Sequence, residues 1–233
     1  MNASTEHSLL FPKAILFDLD GTLIDSAPDI TAAVNELLAT RHLPPLPVDR
    51  VTSMIGHGVR KLVERAFAAS CMPLSGTALD EADRDMVPIY GRHLTRLTRL
   101  MPGARETLAH FHMAGIGLAV VSNKPQVASR EILLHFGLTD ALGAIVGGDA
   151  VSNKKPAPDA LLLALERLRV DLSGVLMIGD SAADVGAARA AGMPVVLVRG
   201  GYTQVPVDEL GADLVCDSLS ELPIALRGFR SAA

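Results

Sequence analysis

Short apolar runs recur through the second half of the chain, each followed by a longer segment of helical period. Residues 115–123 (GIGLAVVSN), 143–149 (GAIVGGD), 174–180 (GVLMIGD), 194–200 (PVVLVRG) and 212–217 (ADLVCD) are apolar almost throughout. They are rich in β-branched residues, as expected of strands covered on both faces. An earlier run, KAILFD at 13–18, has the same character. Between the later runs, 105–115, 126–137, 158–170 and 182–192 carry apolar residues at helical spacing, and three of these four end on a glycine, the usual helix stop. Strand alternating with helix predicts an α/β fold whose core is a Rossmann-like, doubly wound parallel sheet.

That rhythm breaks between the first strand and the second. Residues 27–43, 59–70 and 80–97 read as amphipathic helices with no convincing strand among them. The expectation is a core of residues 1–24 and 99–233, interrupted by an α-helical cap domain at 25–98. LPPLP at 43–47 reads as a loop between helices. The chain shows no internal repeat.

Bulk properties narrow the function. The 233 residues are 49% hydrophobic, enough for a sizeable core. A net charge of −5 and 3% aromatic residues leave no basic, aromatic-lined stripe, which argues against a nucleic-acid partner. Cys71 and Cys216 stand in no metal-binding or redox spacing and are expected to be ordinary buried thiols of a reducing compartment. MNASTEHSLLFPK carries no basic start or long apolar run, so no signal peptide is expected. Apolar runs fall short of the ~20 residues of a membrane span. A cytoplasmic protein without a membrane partner, monomer or homodimer, is the expectation.

Chemistry gathers at the carboxyl ends of the strands. The first ends in Asp18 with Asp20 two residues on; the second in Ser122, Asn123 and Lys124; the fourth in Asp180, with Asp184 close behind. Lys155 comes between the third and fourth strands. Open α/β sheets bind ligands outside those ends. Clustered carboxylates repel one another and are costly to bury unpaired. A hard divalent cation relieves this, and an oxygen-only donor set suits Mg²⁺, with Asp18, Asp20 and Asp180 sufficient to hold it. A lysine and a hydroxyl beside acids call for an anion, and phosphate satisfies both. One carboxylate can then attack phosphorus, while a second, two residues on, carries the proton.

DLDGTLIDS, SNK, KKPAPD and GDSAAD stand in the order and spacing of the four motifs of the haloacid dehalogenase superfamily, which the chain resembles from about 13 to 225. The resemblance implies that Asp18 is the nucleophile and forms an aspartyl-phosphate. It implies that Asp20 is the general acid/base and also gives its backbone carbonyl to Mg²⁺, with Asp180 the remaining metal ligand. Thr22, Ser122 and Asn123 are expected at the substrate, Ser122 and Lys155 holding the phosphoryl group; the Lys-Pro dipeptide selects Lys155 over Lys154. Asp184 is expected behind the metal ligands. Asp20 points to phosphoryl transfer, because the dehalogenase members lack an acid at this place.

Within the cap, MIGHGVRKLVERAF at 54–67 resembles the Gly-x-Gly turn and helix of phosphoglycolate phosphatases. Gly56, His57, Gly58 and Arg60 are therefore candidates to meet the carboxylate of a small substrate. The implied activity is Mg²⁺-dependent hydrolysis of a small phosphorylated metabolite, 2-phosphoglycolate first. Sugar-phosphate or pyrophosphate hydrolysis and a phosphomutase are alternatives within the family; a phospho-receiver or a binding module is the alternative outside enzymes. Asp25 has no assigned role, with capping of the first cap helix one reading. His110 and His112 lie on different faces of a helix, unsuited to a shared metal.

Overall fold

A computed structural model describes residues 12–227 and 229. Its first strand, β1 (Ala14–Phe17), is wholly buried. A tight turn leads into a two-residue strand, β2 (Ile24–Asp25), and then four helices: α1 (Ala27–Ala39), α2 (Val48–Thr52), α3 (Val59–Ala69) and α4 (Gly76–Gly91). The chain returns through β3 (Arg99–Leu100), which pairs antiparallel with β2. That small ribbon joins the inserted helices to the rest of the molecule by two adjacent strands.

After it, helix and strand alternate. α5 (Ala104–Met113), β4 (Gly117–Val121), α6 (Gln126–His135), β5 (Ala144–Val146), α7 (Asp159–Leu168) and β6 (Val175–Gly179) follow in turn. α8 (Ala182–Ala191), β7 (Val195–Val198), β8 (Leu214–Cys216) and a last turn, α9 (Leu222–Ala225), complete the fold. Six strands form one parallel sheet in the order β5-β4-β1-β6-β7-β8. The doubly wound sheet expected from the pattern is thus present. β1 is central, with β4 on one edge and β6 on the other. The winding reverses there, so the crevice that open α/β sheets use for ligands opens at its carboxyl end.

Alternate residues of β1 feed two cores. Ile15 and Phe17 pack with Leu108, Ile132 and the apolar faces of the inserted helices. Ala14 and Leu16 pack with Leu161 and Ala164 of α7 and Ala187 and Ala188 of α8. With both faces covered, the continuous apolar character of the strands follows.

The insertion differs in detail from the pattern. α4 begins earlier and ends at Gly91 instead of continuing to 97. The backbone N–H groups of Leu97 and Thr98, and the Thr98 hydroxyl, donate to Asp29 Oδ2 at 2.9, 2.8 and 2.8 Å. This buried carboxylate replaces the helical carbonyls and pulls the segment into a turn. α2 has only five residues, too few to display a period. Cys216 is buried as expected, but Cys71 is exposed. It stands in a left-handed turn just past α3, with φ of 59°.

Candidate active site

β1 ends at Phe17, yet Asp18 still donates its N–H to Ile178 O at 2.8 Å. The carboxylate is thereby held at the carboxyl end of the central strand, and Asp18 Oδ1 accepts the N–H of Leu19 at 2.7 Å. The chain then turns through Gly21 at φ 85°, where a Cβ would stand 2.6 Å from Asp180 Oδ2. Only glycine meets both the conformation and the contact. Asp180 itself follows β6, the strand beside β1.

Lys155 Nζ lies 2.8 Å from Asp18 Oδ1 and 2.7 Å from Asp184 Oδ1, and donates to Val121 O at 2.9 Å. Lys155, the lysine that the Lys-Pro dipeptide selects, is thus the one placed beside Asp18. Asp184 accepts from the N–H groups of Asp180 and Ser181 and from the Ser181 hydroxyl. It therefore caps α8 and anchors Lys155 at the same time. Asp180 accepts from Thr22 Oγ1 at 2.8 Å and from Tyr202 N at 2.7 Å.

Carboxylate oxygens of Asp18, Asp180 and Asp184 lie within 4.8 Å of one another. Burial pushes the Asp18 carboxyl up to about 7; Asp184 and Asp20 add to the rise, and Lys155 opposes it. Burial, then Asp184 and Asp18, likewise raises Asp180 well above the usual carboxylate range. Burial alone would lower the Lys155 ammonium, but Asp18 and Asp184 overcome it and hold the group charged. Such a crowd of raised carboxylates fits a hard cation, since its charge would offset the cost of ionising them there. The side chains that converge include Asp184, whereas the Asp20 carboxylate points elsewhere.

Asp20 Oδ1 is 2.7 Å from Lys124 Nζ and accepts the Ser26 hydroxyl at 2.5 Å. Lys124 also donates to the Tyr90 hydroxyl from α4 and lies 5.0 Å from that ring's centroid. Ser122, Asn123 and Lys124 follow β4, and all three are buried. Asn123 Oδ1 accepts Lys155 N at 2.9 Å, while Nδ2 donates to Lys155 O at 2.9 Å and to Gly56 O at 2.8 Å. Its amide thus latches the inserted helices to the loop carrying Lys155. Thr22's hydroxyl is occupied by Asp180.

A cavity of about 40 Å³ lies between the carboxyl end of the sheet and the insertion, room for a few water molecules. Asp18, Asp20, Ser122, Gly56 and Gly58 line it with Lys124 and Tyr90. His57 and Arg60 do not. His57 is exposed, with Nδ1 3.3 Å from Arg65 Nη1, and Arg60 pairs with Asp80 at 2.6 Å on the surface. Asp25 accepts from the Tyr202 hydroxyl at 2.8 Å and from Ala27 N at 3.3 Å, which places it in β2, where the chain enters the insertion. Tyr90 and Tyr202 escaped the pattern, which put Lys124 at a strand end without a role. Lys124 and Tyr90 stand 34 positions apart, and nothing local in either segment signals their meeting.

The sequence profile of haloacid dehalogenase-like hydrolases matches residues 12–192. A phosphoglycolate phosphatase of Caulobacter vibrioides is 40% identical over 222 residues, 95% of this chain and 93% of the relative. A plasmid-encoded phosphoglycolate phosphatase of Cupriavidus necator is 41% identical over 224 residues, 94% and 95% of the two chains. Among solved structures, a predicted phosphoglycolate phosphatase from Haemophilus somnus superposes with a TM-score of 0.86 at 31% identity, covering 92% of this chain and 97% of that one. With Asp18, Ser122, Lys155 and Asp180 converging at the switch point of such a sheet, the chain belongs to the haloacid dehalogenase-like hydrolase family.

Proposed function

We propose that this protein is a phosphomonoesterase that converts 2-phosphoglycolate to glycolate and phosphate through an aspartyl-phosphate on Asp18. The observation that carries this reading is the 2.8 Å pairing of Asp18 with Lys155, with Asp18 and Asp20 together lining a small cavity. A carboxylate so placed is aligned to attack, and the lysine offsets the repulsion between two anions. Asp18 attacks phosphorus and the bond to the leaving oxygen breaks, while Asp20 gives that oxygen a proton. Water then attacks phosphorus, Asp20 takes its proton, phosphate departs and Asp18 is restored. Ser122 and Lys155 hold the phosphoryl oxygens. Asp18, Asp180 and the Asp20 backbone carbonyl would hold Mg²⁺, which supplies positive charge where the phosphoryl group meets the carboxylates.

In this reading residues 25–98 are a cap. Its two-strand connection and the Asn123–Gly56 latch suit a lid that opens for a substrate and then excludes bulk water. The small cavity favours a short leaving group over a sugar. The names of the relatives point the same way. Phosphate release from a panel of phosphoesters, with and without Mg²⁺, tests the proposal. The highest kcat/KM is expected for 2-phosphoglycolate, with activity lost on chelation. A sugar phosphate ranking well above it would overturn the substrate, and full activity after chelation would overturn the metal.

A further inference from the structure

The motif suggested Arg60 for the substrate carboxylate, but that guanidinium is turned outward to Asp80. Among the described residues lining the cavity, Lys124 carries the sole positive charge. An ammonium has three hydrogens to donate. Lys124 gives two of them to Asp20 and the Tyr90 hydroxyl, and the third has no partner among the described residues. The Tyr90 hydroxyl accepts from Lys124, and its own proton has no acceptor there either. Both residues are buried, at 5% and 7% exposure. Buried donors without an acceptor are costly, and two converging on one cavity call for an anion. The Ile55, Val59, Leu62 and Met86 side chains complete the wall around them, an apolar surround in which a charge pairing is stronger than in water.

The distances also select which anion. Asp20 serves the leaving oxygen, and Lys124 Nζ is 2.7 Å from Asp20 Oδ1. An acid group one methylene from the leaving oxygen falls within reach of Lys124, whereas the phosphoryl group belongs to Lys155, which pairs with Asp18. We propose that Lys124 and the Tyr90 hydroxyl form the subsite for the substrate's carboxylate, and so set the preference for a phosphoester bearing an α-carboxylate. The assignment rests on the phosphatase reading above and adds the residues that choose the substrate. Because Tyr90 belongs to α4 and Lys124 follows β4, the carboxylate is gripped only when the insertion is closed over the sheet.

The test compares 2-phosphoglycolate with 2-hydroxyethyl phosphate, which has a similar size and a similarly basic leaving alcohol but no carboxylate. Lys124→Met is expected to lower kcat/KM for 2-phosphoglycolate by about 10- to 100-fold more than for 2-hydroxyethyl phosphate, the worth of one charged hydrogen bond. Tyr90→Phe, which keeps the ring in the core, is expected to show the same bias at about 5-fold. It carries the test if Lys124→Met does not fold. Equal losses on the two esters, with a wild type that discriminates between them, would overturn the subsite and leave the substrate reading standing. A wild type that hydrolyses both equally well would overturn the substrate reading and the subsite with it.

Discussion

Lys155 uses all three of its ammonium hydrogens on groups of the protein: Asp18, Asp184 and the Val121 carbonyl. A side chain held from three directions has little rotamer freedom left, so the positive charge is in place before a phosphoryl group arrives. Asp184 is what makes this possible. It is fully buried and divides its lone pairs between the lysine and the start of α8. Asp18→Asn keeps the shape of the side chain and leaves Lys155 its pairing with Asp184. The variant is expected to lose about 10⁴-fold or more in kcat while folding normally. Phosphate release and a thermal melt check the two halves separately; substantial turnover in the folded variant would rule out Asp18 as the nucleophile. Asp18 and Lys155 were legible in the sequence because each stands in a short motif that implies its role, whereas Lys124, though within SNK, gains its meaning from Tyr90 on a distant helix.

At the scale of elements, the ribbon of β2 and β3 is fastened by a residue from outside it. Tyr202, in the loop after β7, accepts from Ser26 N at 2.7 Å and Ala27 N at 2.9 Å, and donates to Asp25 Oδ1 at 2.8 Å. Its own N–H holds Asp180 at 2.7 Å. One residue therefore links a proposed metal ligand to the point where α1 leaves the hinge. Tyr202→Phe would orphan the Ser26 N–H and leave the Ala27 N–H only its 3.3 Å bond to Asp25 Oδ1, at a cost of about 1–3 kcal/mol unless water replaces the hydroxyl. The expected result is faster amide exchange at Ser26 and Ala27 than in the wild type, with the sheet strands unaffected. Unchanged exchange at those two amides would show that the hydroxyl does not secure the hinge. This tie explains Asp25, which the local pattern left without a role: its partner lies 177 positions away.

For the molecule as a whole, the buried acidic cluster ties stability to pH and, on the proposed metal binding, to Mg²⁺. Burial holds the Asp18 carboxyl up to about 7 in the folded protein, against an ordinary value of about 4 when unfolded. Between those limits the folded state keeps a proton that the unfolded state has released. Stability without metal is then fully present below about pH 4 and declines as the pH rises through about 7. Asp180 shifts in the same direction. Mg²⁺ bound as proposed would take over the proton's neutralising role, so added Mg²⁺ is expected to raise the melting temperature far more above that window than at its acidic end. Melting curves over pH, with chelator and with saturating Mg²⁺, check this. A metal-free protein whose melting temperature climbs through the window would contradict it.

The sequence by itself determined the sheet, the helices that wind about it and the place of the acids. Those features rest on periodicity and on motifs a few residues long, which act through the nearby backbone. Apolar runs such as Leu176–Ile178 must be buried on both faces wherever they fold, and Asp18 must follow its strand whatever packs above. Only the tertiary structure decided that Arg60 faces Asp80, that Tyr202 fastens the hinge, and that Lys124 meets Tyr90 over the cavity. These contacts join elements far apart in the chain, and their direction depends on how the inserted helices settle on the sheet. KAILFDLDGTLIDS announced a reaction centre through local chemistry; the surroundings proposed to choose its substrate come from the packing of two layers against each other.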